Sequence, residues 1–147
     1  MKINITLKLL FCFSLMLGFI NICHAKDQIL VTDGYVKANI PGSSVTAAYM
    51  TISNPMDKAI TLQKVTSDIS PNIEIHEHSM SNGMMRMREV GQIKIDANSK
   101  VVLQPSGLHL MIFSVTEQIS EKDSVVLTLH FADQSKINIQ LPVSQYK

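Results

Sequence analysis

The sequence predicts an all-β sandwich or barrel, on three observations. No stretch sustains a helical period. Short segments alternate apolar and polar residues with period two, as half-buried strands do. Turn signals recur roughly every 8 to 12 residues, the spacing of a sandwich. Periodicity alone does not choose between sandwich and barrel.

The first 25 residues stand apart. MKINITLK carries two lysines and no acid, LLFCFSLMLGFI is a short apolar core, and Cys23-His24-Ala25 ends on a small residue. This is the three-part pattern of a secretory signal peptide cut after Ala25. Its apolar core is too short for a spanning helix, which needs ~20 residues. A lipoprotein with Cys23 acylated is the rival reading, disfavoured by bulky Ile22 just before that cysteine. Residues 1–25 are thus read as signal and 26–147 as one domain, expected to be periplasmic.

The strands follow in order. Gln28 to Thr32 is a short apolar run that Asp33-Gly34 should stop. Ser44 to Ser53 is rich in small and β-branched residues, and Asn54-Pro55 closes it. Ala59 to Val65 alternates until its phase slips near Val65, which predicts a bulge or the strand's end. Asn72 to His78 alternates cleanly, with Ile73 and Ile75 on one face and Glu74, His76 and His78 on the other. Asn82-Gly83 suits a type I′ hairpin turn, and Met84 to Val90 would be the returning strand. Gln92 to Ala97 and Lys100 to Gln104 read as a second hairpin around Asn98-Ser99. After the Pro105-Ser106-Gly107 turn, Leu108 to Val115 is an apolar strand. Ser124 to Phe131 faces Val125, Leu127, Leu129 and Phe131 inward. Lys136 to Val143 does the same with Ile137, Ile139, Leu141 and Val143, after a turn at 132–135.

Composition narrows the function. Removing the signal takes Lys2 and Lys8, leaving 11 of the 13 basic residues against 12 acidic ones. A near-neutral chain without a basic run gives no reason to expect nucleic-acid binding, and no membrane insertion is expected either. Both cysteines, Cys12 and Cys23, leave with the signal, so neither a disulfide nor a thiolate ligand is expected in the exported domain. An ordinary apolar core must hold the fold, and a monomer is expected.

The chemistry concentrates between His76 and Met111, which hold three of the five histidines and five of the nine methionines. Four residues stand at the spacing His76-x10-Met87-x21-His109-x-Met111. At this chain's own His and Met frequencies, chance gives such a match about once in 10⁴ trials, far more specific than a lone short motif. His109 and Met111 are two apart, so a strand projects both from one face. Closure of the Asn82-Gly83 hairpin would bring Met87 toward His76 at one end of the sandwich. Soft thioethers favour Cu(I), and imidazole suits copper as well. A blue-copper centre needs a cysteine, and a zinc site has no role for thioether. The site is therefore read as near-tetrahedral Cu(I) on two imidazoles and two thioethers. Only the imidazoles compete with protons, so copper affinity should weaken below about pH 6.

This spacing resembles that of the periplasmic copper chaperones called PCu(A)C, and the segments EIHEHSMSNGMMRMREV and LQPSGLHLMIF resemble that family's two most recognisable stretches. The resemblance runs from about Gly34 to Val143. His78 departs from the pattern, standing where members often carry Met. The resemblance implies a cupredoxin-like Greek-key β-sandwich and the ligands His76, Met87, His109 and Met111. It also implies delivery toward the CuA centre of cytochrome c oxidase subunit II, with an Sco-type thiol protein as a further partner. Some relatives carry a Met- and His-rich tail with a second copper site. This chain ends at SQYK soon after its last strand, so that site is expected to be absent.

Other residues have plainer readings. Met50, Met56, Met84 and Met85 read as core filler, and His130 as facing solvent. His78 shares a face with His76 and is a candidate spare ligand; Met80 is a candidate flanking residue that shields or loads the site. Glu74, Glu77 and Glu89 read as a solvated strand face, and nothing indicates an enzyme. A copper-sequestering tolerance protein is the first alternative to a carrier. An immunoglobulin-like adhesion or assembly module is the second.

Overall fold

The computed structural model describes residues 28–81 and 83–145. The segment read as a signal peptide, with its two cysteines, lies outside them, as do Asn82 and the last two residues. Within them the chain forms ten strands: β1 (Leu30–Lys37), β2 (Thr46–Asn54), β3 (Ile60–Thr66), β4 (Asn72–Ser81), β5 (Met84–Glu89), β6 (Ile93–Ile95), β7 (Ser99–Leu103), β8 (Leu108–Phe113), β9 (Ser124–Phe131) and β10 (Lys136–Ser144). Their pairing order is β5-β4-β8-β2-β1-β10-β9-β3-β6, with β7 also on β2. All pairings are antiparallel except β1–β10, where Val36 meets Val143 and Lys37 meets Ser144. That parallel pair joins a sheet of β5, β4, β8, β7, β2 and β1 to one of β10, β9, β3 and β6.

One apolar cluster lies between the sheets. Val36, Ala48, Met50, Ile52, Ile75, Leu110 and Ile112 supply it from the first. Leu62, Val65, Leu127, Leu129 and Phe131 supply it from the second. The period-two faces predicted for β4, β8, β9 and β10 are the faces that enter this core. The slip predicted in β3 is a bulge, since pairing with β9 shifts register between Leu62 and Lys64. Met50 is buried and Met56 packs on the core, as core filler should.

Three expectations need correcting. Asp33-Gly34 does not end the first strand: β1 continues through it as a bulge, with Asp33 at φ 54° and the register against β2 shifting between Thr32 and Tyr35. A turn and a bulge ask for the same positive-φ residues, so local sequence could not tell them apart. Residues 92–104 do not form a hairpin. β6 pairs with β3 and β7 pairs with β2, so the connection between them crosses from one sheet to the other. Met84 and Met85 are not core filler either, because every residue of β5 is exposed.

β7 and β8 both run antiparallel to β2, on the same side of it. β7 pairs along Met50 to Asn54 and β8 along Thr46 to Ala48. They form one interrupted strand, and the loop 104–107 bulges out between them. Gly107 donates its N–H to the Gln104 carbonyl at 3.1 Å, and Gln104 donates to the Leu108 carbonyl at 2.6 Å. This loop sets the start of β8, where His109 stands.

Candidate metal centre

β4 is central to the site, flanked by β8 on one side and β5 on the other. His76 pairs directly with His109 of β8 and with Glu89 of β5. His78 pairs directly with Met87 of β5. Met111 lies two residues beyond His109, opposite Glu74 of β4 and Ala47 of β2. Cross-strand partners share a face, and so do residues two apart in a strand. His76, His78, Met87, His109 and Met111 therefore occupy one contiguous patch. It is the outward face of the first sheet, opposite buried Ile75, Leu110 and Ile112. The patch lies beside the β5 edge, because register stacks these residues laterally across three strands.

The patch is graded in exposure. His109 is only 4% exposed and Met87 is 50% exposed. The ring centroids of His76 and His109 are 6.0 Å apart, and those of His78 and His109 are 5.0 Å apart. Tyr49 of β2 and Phe113 of β8 border these rings. Among the described residues, no three His, Cys, Asp or Glu side chains are grouped closely enough to hold a metal by themselves. Met87 and Met111 add thioether donors to this face.

Hydrogen bonds fix which ring nitrogens are free. His109 Nδ1 lies 2.9 Å from the Gly107 carbonyl, which can only accept. The proton is therefore on Nδ1, and Nε2 presents a lone pair. His76 Nε2 lies 2.8 Å from Glu74 Oε2. The Glu74 carboxyl is held below its ordinary pKa, chiefly by its hydrogen bond to His76 and then by one from Asn72. An ionised carboxylate accepts, so His76 carries its proton on Nε2 and leaves Nδ1 bare. That Nδ1 is buried and has no hydrogen-bond partner, as is the case for His78 Nδ1. Buried polar atoms without a partner are rare in folded proteins, and binding an ion is one way such an atom is satisfied. A ring oriented by a carboxylate or carbonyl through one nitrogen, with the other free, is how metal-binding histidines are held.

Sequence reading did not assign the two orienting groups. Glu74 read as part of a solvated face, and the Gly107 carbonyl carried no side-chain signal. Both lie two residues before the histidine they orient, so the same-face rule could have pointed to Glu74. His130, read as facing solvent, is half-buried and shares a hydrogen bond with Thr66 Oγ1 at 2.8 Å.

Burial pushes the His109 pKa down, with smaller contributions from His78 and His76, against the raising effect of the Gly107 carbonyl. His130 is also lowered, first by burial and then by Lys136 and Lys64. The unfolded chain then binds more protons than the folded one from about pH 6.5 downward, so stability must fall as pH drops through that value. The metal-free protein should show a lower urea midpoint at pH 5.5 than at pH 7.5. The difference should shrink in the His109→Gln variant. Glu74 and Asp133, whose pKa values are lowered from carboxylate references, act at more acidic pH and leave this window clear.

Residues 29–143 match the LpqE-like family model, whose description is that of a lipoprotein family. The chain belongs to the LpqE-like family. Its relative Lxx21020 of Leifsonia xyli subsp. xyli (strain CTCB07), named as a lipoprotein, is 28% identical over 121 residues, covering 82% of this chain and 72% of that one. The solution structure of CuI-DR1885 from Deinococcus radiodurans is 29% identical, with a TM-score of 0.67, and covers 83% of this chain and 84% of that one. The copper-bound PCuAC domain from PmoF2 has a TM-score of 0.67 at 19% identity, covering 79% of this chain and 92% of that one. The LpqE-like chain thus has the PCuAC fold, and the resemblance of the chain to the PCu(A)C family is borne out.

Proposed function

We propose that this protein is a copper carrier that binds one Cu(I) through His76, Met87, His109 and Met111 and releases it to a copper-accepting protein. The observation that carries the reading is the pair of oriented imidazoles on one sheet face, each with a bare ring nitrogen, beside two thioethers at the motif spacing. The PmoF2 domain is copper-bound and the DR1885 structure is of its Cu(I) form, and this likeness supports the choice of metal. Neutral ligands suit a cargo that must leave. An incoming ligand would displace exposed Met87 first, and the more buried His109 would let go last.

As the recipient we propose a CuA centre of the kind in cytochrome c oxidase subunit II, with an Sco-type thiol protein acting alongside it. Export through the signal segment would put this exchange in the periplasm. Cu(I) titrated into residues 26–147 should saturate at one equivalent. X-ray absorption on the loaded protein should find sulfur as well as nitrogen neighbours. A first shell without sulfur would overturn the reading. Deleting the gene should lower oxidase activity under copper limitation; copper sensitivity as the sole phenotype would indicate sequestration instead.

A further inference from the structure

We propose that His78 is a further copper ligand of this chain, holding Cu(I) together with His109 and Met87 on the exposed side of the site. The inference rests on the copper-carrier reading above and extends its ligand set.

The placement of His78 is as favourable as that of His76. Its ring is nearer to His109, with centroids at 5.0 Å against 6.0 Å. It is the direct cross-strand partner of Met87, whereas the partner of His76 on β5 is Glu89. Directly opposed side chains have their Cβ atoms about 5 Å apart, a span one metal ion can bridge with an imidazole and a thioether. The His78 backbone N–H donates to the Gly107 carbonyl at 3.2 Å, the same oxygen that accepts from His109 Nδ1. One carbonyl therefore fixes both the β4 backbone at His78 and the ring of His109.

The His78 ring also has an unmet need. Its Nδ1 is buried without a partner, and a buried polar atom left unpaired costs about 1–3 kcal/mol. A bound cation would relieve that cost. No histidine trio on this face is tight enough to serve alone, so the arrangement calls for sulfur, and Met87 supplies it from across the strand pair. Beyond it, Met80 and Met85 are directly paired and more than 60% exposed, continuing a thioether row toward the hairpin tip. His78 thus joins this exposed row to buried His109.

Cu(I) is diamagnetic, so histidine ring ¹⁵N resonances can be followed in the loaded wild-type protein. One His78 ring nitrogen should shift on loading by as much as the His109 ligand nitrogen does. His78→Gln should weaken Cu(I) binding about tenfold, the lower end of what loss of a supporting ligand interaction costs. His78→Met, which keeps a soft donor, should recover most of that loss. Shifts at His76 and His109 with His78 unmoved would overturn the proposal and leave the carrier reading intact. So would a His78→Gln variant with wild-type affinity. No shift at any of the three rings would overturn both. The spectra of the wild-type protein decide the matter even if a variant fails to fold.

Discussion

Replacing His109 by Ala should lower Cu(I) affinity by at least about a hundredfold, the upper end of what loss of a group merely supporting a metal ligand costs. It should do so without unfolding the protein. His109 is the most buried of the proposed ligands, and its ring is oriented by the Gly107 carbonyl with Nε2 left bare. It also adjoins both other histidines, so no neighbouring imidazole can take its place without losing a partner. The fold should tolerate the change because the ring lies on the outward face, where water can fill the space left. The Gly107 carbonyl keeps the His78 backbone N–H as donor. A stability loss of about 1–2 kcal/mol is therefore expected, within the ordinary range for single substitutions. Met84→Ala is the control. Met84 is exposed too, but it pairs with Ser81 and so lies on the opposite face of β5 from Met85 and Met87. It should change neither affinity nor stability. Competition titration against a Cu(I) chelator of known affinity measures all three proteins. Wild-type affinity in His109→Ala would remove the basis of the site.

The parts of this site legible in the sequence are those that follow from local alternation. Ile73 and Ile75 against His76 and His78, or Leu110 and Ile112 against His109 and Met111, are sorted to opposite faces by strand geometry alone. The motif spacing then nominated which polar-face residues to join, and register brought them onto adjacent strands. What alternation does not carry is the identity of the neighbouring strand. β6 and β7 each alternate well enough, yet they belong to different sheets, a fact fixed by long-range pairing. Likewise Met84 and Met85 look like core residues by type, while β5 stands at a free edge with both faces in solvent. The hydrogen bonds that choose the free nitrogen of His76 and His109 depend on side-chain and carbonyl placement within the folded sheet. These details convert a ligand list into a chemical site, and they emerge only from three-dimensional structure.

The crossing between β6 and β7 leads to the second large effect, at Asn54. This residue ends β2, is 1% exposed, and works as a clamp. Its Nδ2 is within 2.9 Å of the Lys58 carbonyl, 3.2 Å of the Ile95 carbonyl and 2.9 Å of the Asp96 carbonyl. Its Oδ1 accepts the Met56 N–H at 3.1 Å. One side chain thereby ties the end of β2 to the loop before β3 and to the chain leaving β6, just before it crosses to β7. Asn54→Ala would strip these backbone groups of their partner together. Leaving a buried polar group unpaired costs about 1–3 kcal/mol, and water can reach some of them once the side chain is gone. A net loss of about 3 kcal/mol is expected, which for a domain of this size lowers Tm by roughly 10 °C. Asn54→Asp should not rescue it, since a carboxylate cannot donate to three carbonyls. Copper binding by the folded protein should be unchanged. Asn54 is seven positions along β2 from Ala47, the partner of Met111, roughly 20 Å at the rise of a strand. Thermal unfolding and Cu(I) titration of the same variant separate the two effects. A Tm within about 2 °C of wild type would mean that the crossing is held by something other than this clamp.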